Sequence, residues 1–247
     1  MSNLIFVTGN KGGIGKSTLA RGLIDRYLAQ NIPLSVYDGD TEIGSLHRFC
    51  HKVTPVHRID MHGSNPLDKL MIDLDTSQPS PVVVDLAAGI GTVFSIATAE
   101  LGFFDWLRTT RYQVSMFSVI SNLIDSVVIL KKLLESLEQQ KVSSIHHVVV
   151  KNLHFGDPES FDTYDRSSTR KILLELGGKE IFLPKLNDLT CQTVDFKNLS
   201  FSQAVTDTSI GLPHRLRIST WLSNLNAELD QVSALVDPTV VDASNAA

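Results

Sequence analysis

The chain has 247 residues, 43% of them hydrophobic and 20% charged, with a formal net charge of −5. That suits one sizeable α/β domain, and it argues against a disordered chain or a generally basic nucleic-acid protein. Cys50 and Cys191 form no CxxC pair, so neither a disulfide framework nor a thiolate cluster is suggested, and a reducing cytoplasm fits.

Apolar runs of strand length alternate with helix-period segments along the chain. Residues 4–7 predict a buried strand, and 17–30 a helix with Leu19, Leu23 and Tyr27 on one stripe. The start lacks the basic and long apolar regions of a secretion signal, and no stretch approaches a bilayer span. A strand over 34–37 ends at Asp38-Gly39-Asp40, a short strand falls within 53–61, and Ser64-Asn65-Pro66 marks a helix start. Residues 81–85 predict a buried strand ending in Asp85. A single helix over 91–107, a strand over 114–120 and a helix over 122–139 follow. The last elements are a strand over 145–150, a helix over 165–176, a strand over 180–183 and a helix over 215–235. Continuous β-branched runs between helices predict an α/β fold, with a mostly parallel sheet covered on both faces. One domain over 1–235 and a loose small-residue tail over 236–247 complete the organisation.

The run Lys11-Gly12-Gly13-Ile14-Gly15-Lys16-Ser17 lies between the first strand and the first helix. Such a loop holds phosphate through backbone N–H donors and the positive end of the helix dipole. Gly12, Gly13 and Gly15 permit close approach and positive φ. Lys16 reaches the outer phosphates and the Ser17 hydroxyl ligates Mg²⁺ in such loops. The candidate nucleotide-binding set is Gly12, Gly13, Ile14, Gly15, Lys16, Ser17 and Thr18. Asn10 stands where the strict pattern has its first Gly, a mild departure because Asn tolerates left-handed backbone better than other side-chain-bearing residues.

Lys11, which a plain P-loop does not require, makes K-G-G-x-G-K-S resemble the deviant Walker A motif of the ParA/MinD family of ATPases. The resemblance implies ATP and Mg²⁺ as cofactors, and a homodimer closed around ATP in which Lys11 acts on the partner's phosphates. Val36-Tyr37-Asp38-Gly39-Asp40-Thr41-Glu42 resembles the family's switch I, and Val82-Val83-Val84-Asp85-Leu86-Ala87-Ala88-Gly89 its Walker B and switch II. By the same resemblance Asp40 positions the attacking water. Asp85 holds Mg²⁺ through water, and Ser17, Asp40 and Asp85 form the metal set. Asp38 supports the site and Gly89 N–H senses the γ-phosphate. Asn152 and Pro184, each ending a strand, match positions that meet the adenine. Thr41 and Ala87-Ala88 stand where the family has prolines.

His47, Cys50, His51, His57 and His62 crowd one region, with His47 and His51 at i, i+4, but no metal-ligand spacing appears and a structural or surface role is expected. His146 and His147 must point to opposite faces of their strand. The aromatic run over 101–107 suits core packing, with a dimer or partner surface as the alternative. Residues 221–235 carry Glu228 and Asp230 but no Lys or Arg, unlike the basic amphipathic tail of membrane-associated family members, so no membrane partner is expected. An N-terminal helix-turn-helix extension and the cysteine pairs of iron–sulfur relatives are also missing from the sequence.

The leading expectation is a small cytoplasmic ParA-like ATPase with slow hydrolysis, in plasmid partition or conjugative DNA transfer, with a protein activator or cargo adaptor. Arg166, Arg170, Lys171, Lys179, Lys197, Arg215 and Arg217 are candidates for non-specific DNA contact, though interspersed with acids. Two alternatives stay open. One is an ATP-dependent carboxylate-activating enzyme of dethiobiotin synthetase or cobyrinate amidation type. The other is an ATP-binding adaptor without DNA binding.

Overall fold

A computed structural model describes residues 2–40, 44–139 and 145–237. Seven strands form one sheet in which every pairing is parallel. They are β1 (Ser2–Gly9), β2 (Ser35–Asp38), β3 (Val56–Arg58), β4 (Val82–Asp85), β5 (Tyr112–Ile120), β6 (Ile145–Asn152) and β7 (Lys179–Leu183), in the spatial order β3-β2-β4-β1-β5-β6-β7. β1 and β4 carry unbroken apolar runs, Leu4–Val7 and Val82–Val84, because both of their faces are covered.

On one face lie α1 (Lys16–Ala29), α2 (Ser45–Cys50), α9 (Asp188–Lys197), α10 (Phe201–Thr206), α11 (Leu212–Asp230) and α12 (Ser233–Val236), packed on Ile5, Val7, Val36, Val83 and Val148. On the other lie α3 (Asp68–Thr76), α4 (Gly91–Glu100) and α5 (Phe103–Leu107), which meet the alternate residues Leu4, Phe6, Val82 and Val84. Further along, α6 (Ile124–Gln139), α7 (Asp162–Asp165) and α8 (Ser168–Glu175) share a third cluster around Tyr164, Leu134 and Leu173. Gly22 lets α1 approach α11 closely: a Cβ there would stand 2.3 Å from Leu225 Cδ2.

Four expectations need correction. The single helix over 91–107 is two, broken at Gly102, whose φ of +57° ends the α-helical run. The helix expected to start at 64–66 begins at Asp68, after a turn. α9 and α10 were not expected, and the final helix divides after Asp230. Val236 and Asp237, assigned to the tail, are packed. The Val236 carbonyl accepts from Asn3 Nδ2 at 2.7 Å and from the Tyr27 hydroxyl, and Asp237 pairs with Arg26 at 2.8 Å. The remaining tail residues, 238–247, lie outside the described residues, as does Thr41.

Candidate functional site

β1, β4 and β2 are neighbours whose carboxyl ends deliver Gly9, Asp85 and Asp38 to the same edge, where open parallel sheets bind ligands. β1 leads straight into the glycine loop. Gly13 and Gly15 take φ of +73° and +105°, while Gly12 is exposed, and a Cβ on it would meet nothing within 4 Å. The first helical bond of α1 runs from Leu19 N–H to the Gly15 carbonyl at 3.0 Å. The amides of Lys16, Ser17 and Thr18 therefore lie ahead of the helical ladder, as an anion site requires.

The loop is held from below. Asn152 Nδ2 donates to the Ile14 carbonyl at 2.8 Å, and a Cβ on Gly15 would stand 2.4 Å from that nitrogen. The Asn152 Oδ1 accepts from His154 N–H at 3.0 Å. Here the amide serves the loop and the chain after β6, and the Pro184 carbonyl accepts from Trp221 Nε1 at 2.7 Å. Asn10 does not take the left-handed backbone that made Asn acceptable there. Its Oδ1 accepts from Ser126 Oγ at 3.3 Å instead. Gly9 escaped notice, although a Cβ on it would meet Ile14 Cγ2 at 2.8 Å. Its place directly after an apolar strand was the available signal.

Charge is concentrated and buried beside this loop. Ser17 Oγ donates to Asp85 Oδ2 at 2.6 Å, whereas the buried Asp85 Oδ1 has no hydrogen-bond partner among the described residues. Burial pushes the Asp85 carboxyl up to about 7, against the opposing pull of Ser17 and Lys16. Lys16 Nζ donates to the Lys11 carbonyl at 3.2 Å, and burial lowers its ammonium below the usual range despite the charges of Asp85 and Asp40. Asp38 is fully buried and accepts from Asp40 N–H at 3.1 Å and His47 N–H at 3.0 Å, and burial raises its carboxyl. Asp40 is half-buried, with its charge acting on Lys16, Asp38 and Asp85. Gly89, exposed at φ +71°, follows β4. Lys11 is exposed, and its side chain has no hydrogen-bond or ion-pair partner among the described residues.

The other sequence candidates separate. Cys50 is buried, with burial pushing its thiol up to about 12, and His57 stacks on Tyr37 at 5.1 Å. His47 and His51 are exposed and stacked. No group of three or more His, Cys, Asp or Glu side chains suited to a metal ion occurs among the described residues. His146 is exposed and His147 buried on opposite faces of β6. Phe103, Phe104 and Leu107 are core residues, with Phe103 edge-on to Phe6 at 6.2 Å. Among the residues named for DNA contact, Arg166 pairs with Asp162 at 2.6 Å, Arg170 with Glu180 at 2.9 Å, and Lys197 bonds Ser209 at 2.8 Å. No helix among the described residues is long and apolar enough to cross a membrane.

A seven-stranded parallel sheet, a strand–loop–helix anion cradle and acids at the adjoining strand ends define the P-loop NTPase α/β fold. Solved structures sharing it include MinD complexed with Mg-ADP from Pyrococcus horikoshii OT3, at TM-score 0.55 and 12% identity, covering 95% of this chain and 98% of that one. The MinC:MinD cell division complex of Aquifex aeolicus matches at TM-score 0.53 and 15% identity, over 92% and 96% of the two chains. At the level of sequence the chain is similar to Protein MobD of Acidithiobacillus ferrooxidans, 25% identical over 230 residues, which cover 93% of this chain and 97% of MobD. No protein-family model matches the sequence.

Proposed function

We propose that this chain is an ATP-dependent, dimerising switch ATPase of ParA/MinD type. It positions or transfers cargo, in plasmid partition or conjugative DNA transfer, together with a protein activator or adaptor. One observation carries the reading: a buried carboxylate, Asp85, with one oxygen bonded to Ser17 and the other unpartnered, directly beside Lys16 at the mouth of the loop. A buried carboxylate of this kind is costly unless a cation completes it. Ser17, Asp85 and Asp40 supply the hard oxygen donors that Mg²⁺ prefers. ATP supplies the phosphoryl group and Mg²⁺ the charge neutralisation. The loop amides and Lys16 hold the phosphates, Asp40 orients the water, and Gly89 N–H registers the third phosphate. Phosphoryl transfer depends mainly on such positioning and electrostatics. The exposed Lys11 side chain suits action across a dimer. The Mg-ADP-bound MinD neighbour supports the cofactors, and the near full-length likeness to MobD supports a role in DNA mobilisation. Asn152 Nδ2 carries a second N–H besides the one on the Ile14 carbonyl, which leaves a donor for adenine.

The test is the mass of wild type, Lys11→Ala and Asp40→Ala by light scattering, first with ADP and then with ATP and Mg²⁺, alongside hydrolysis rates. The expected result is an ATP-dependent dimer that persists in Asp40→Ala, and hydrolysis abolished in Lys11→Ala. Normal hydrolysis by Lys11→Ala, or a monomeric Asp40→Ala variant in ATP, defeats the sandwich reading.

One observation favours carboxylate activation as a second reading. A cavity of about 400 Å³ between α4 and α6 opens beside Asn10 and Gly89, lined by Ile96, Ile120 and Leu130 with the hydroxyls of Ser95, Ser118 and Ser126. A small acid seated there would lie next to the terminal phosphate. On that reading, ADP release awaits addition of a carboxylate substrate and Lys11→Ala has no effect.

A further inference from the structure

The cavity between α4 and α6 has a floor whose polar groups the fold leaves unpaired. Thr8 on β1 and Ser118 on β5 are register partners on adjacent parallel strands. Both continue the alternation of Leu4 and Phe6, and of Val114 and Met116, which turns toward α4 and α6. They are 7% and 5% exposed, and neither hydroxyl has a hydrogen-bond partner among the described residues. Buried hydroxyls are normally paired, so two neighbouring exceptions on the floor of a cavity mark a place to be filled. The other serines there are engaged: Ser126 bonds Ser121 and Asn10, and Ser95 bonds Ser136. Above the floor the walls are apolar. Ile120 and Leu130 are buried, whereas Ile96 and Ile129 leave 61% and 42% of their surface exposed. Lys132, exposed on α6, is the one ionisable side chain of the lining among the described residues.

We propose that this cavity binds an uncharged amphiphile, a small molecule with a short hydrocarbon body and one neutral hydrogen-bonding end such as an amide or an alcohol. The volume of about 400 Å³ falls in the range of small-ligand pockets. A hydroxyl both donates and accepts, so an amide carbonyl takes a bond from one of the pair while its N–H gives one to the other. A carboxylate on the floor finds only neutral donors, and an ammonium only neutral acceptors, so either ion loses its water without a counter-charge. A wholly apolar group leaves both hydroxyls unpaired. The hydrocarbon body covers Ile96 and Ile129 and takes their surface out of water. Asn10 and Gly89 line the same cavity, so its occupant sits between the start of the glycine loop and the turn after β4. Binding there biases that turn, and through it the turnover of nucleotide. This occupant differs in charge from the small acid of the carboxylate-activation reading, and one titration separates them.

The site does not depend on the ATPase reading; only its effect on turnover does. Hexanamide, hexanoate and hexylammonium share one hydrocarbon body, and each is titrated by calorimetry into the full chain saturated with ADP. The expected result is one saturable site for hexanamide, at least about tenfold tighter than for either ion. Ser118→Ala and Thr8→Val each weaken it about fivefold, the effect of one neutral hydrogen bond, while Thr8→Ser retains it. Ser118→Ala removes an unpaired buried hydroxyl, so its thermal melt is expected to equal or exceed that of wild type, and it decides the matter alone if Thr8→Val fails to fold. Absence of hexanamide binding, unchanged binding in Ser118→Ala, or equal affinity for the ions overturns the site. Tighter binding of hexanoate overturns it in favour of the small acid. Saturating hexanamide is also expected to shift wild-type ATP turnover at least about twofold and to leave Ser118→Ala, at the same concentration, closer to its own unliganded rate. Calorimetric binding without any effect on turnover overturns the linkage to the turn after β4. A protein that hydrolyses no ATP at all refutes the ATPase reading, and the calorimetric result stands or falls separately.

Discussion

The two ends of α1 both bury charge, and they treat it in opposite ways. At the C-terminal end Asp25 and Arg26 are completed by the protein. Between the two ends, Arg21 lies between the rings of Phe49 and Phe201, at 3.8 and 4.1 Å, and pairs with Asp195 at 2.9 Å, while its buried Nε has no partner among the described residues. Asp25 accepts from Phe201 N–H, Ser202 N–H and the Ser202 hydroxyl. Arg26 pairs with both Asp230 and Asp237 at 2.8 Å. At the N-terminal end, among the described residues, Lys16 bonds only a loop carbonyl and Asp85 keeps one oxygen without a partner. Buried charge that the chain completes is architecture, whereas buried charge left incomplete is a request for a ligand.

The largest expected effect breaks the incomplete end. Asp85→Asn is expected to lower ATP turnover about 10²- to 10³-fold, the usual consequence of losing one group that stabilises charge in the transition state. Turnover within a few-fold of wild type would remove Asp85 from the metal set.

His147 tests whether an unpartnered buried group outside the site carries a cost of its own. Its Nδ1 has no partner among the described residues, and burial lowers its ring to about 4 from the ordinary 6.5. A lowered His contributes stability that is complete above the unfolded value and lost as pH falls toward the folded one. Between pH 6.5 and pH 4 the contribution falls by about 3 kcal/mol. Urea denaturation across that window is therefore expected to show the wild type losing this much more than His147→Leu. Parallel pH profiles would assign the acid sensitivity elsewhere.

Asp25→Asn and Asp85→Asn make the same chemical change at the two ends and sharpen the contrast. Asp25 accepts at both oxygens, so an amide there turns an N–H against a donor, and a loss of about 2 kcal/mol is expected with turnover per folded molecule preserved. In nucleotide-free protein at pH 8, Asp85→Asn removes a charge that Ser17 and Lys16 compensate only in part, while its amide oxygen still accepts from Ser17. A gain of about 1 kcal/mol is expected there. Equal signs for the two variants in thermal melts would end the distinction.

Much of this was legible in the sequence wherever one physical signal acted alone. The short apolar stretch ending in Asp38 and the valine run ending in Asp85 revealed both strands and the edge their acids share. The strand-to-glycine transition revealed the loop. Where two signals competed, the sequence reading missed. The apolar character of 91–107 hid the break at Gly102. The polar α9 and α10 show no clear apolar stripe, although Asn187 caps one and Ser200 with Gln203 forms a capping box on the other. The completed charges of Asp25 and Arg26 depend on residues 176 to 211 positions away, which no local pattern encodes. For the same reason, that Asn152 holds the loop, and that Ser126 meets Asn10, emerged only from the fold.

The bonds on the Val236 carbonyl have a consequence in time. They tie residue 3 on β1 and residue 27 on α1 to the same late turn, so none of the three can open without the other two. Under hydrogen exchange, amides around Tyr27 should yield only with global unfolding, while those of the glycine loop at the other end of the same helix exchange from the native state. α1 is thus anchored at one end and free to respond at the other, with its slow end held by a carbonyl 209 residues later in the chain.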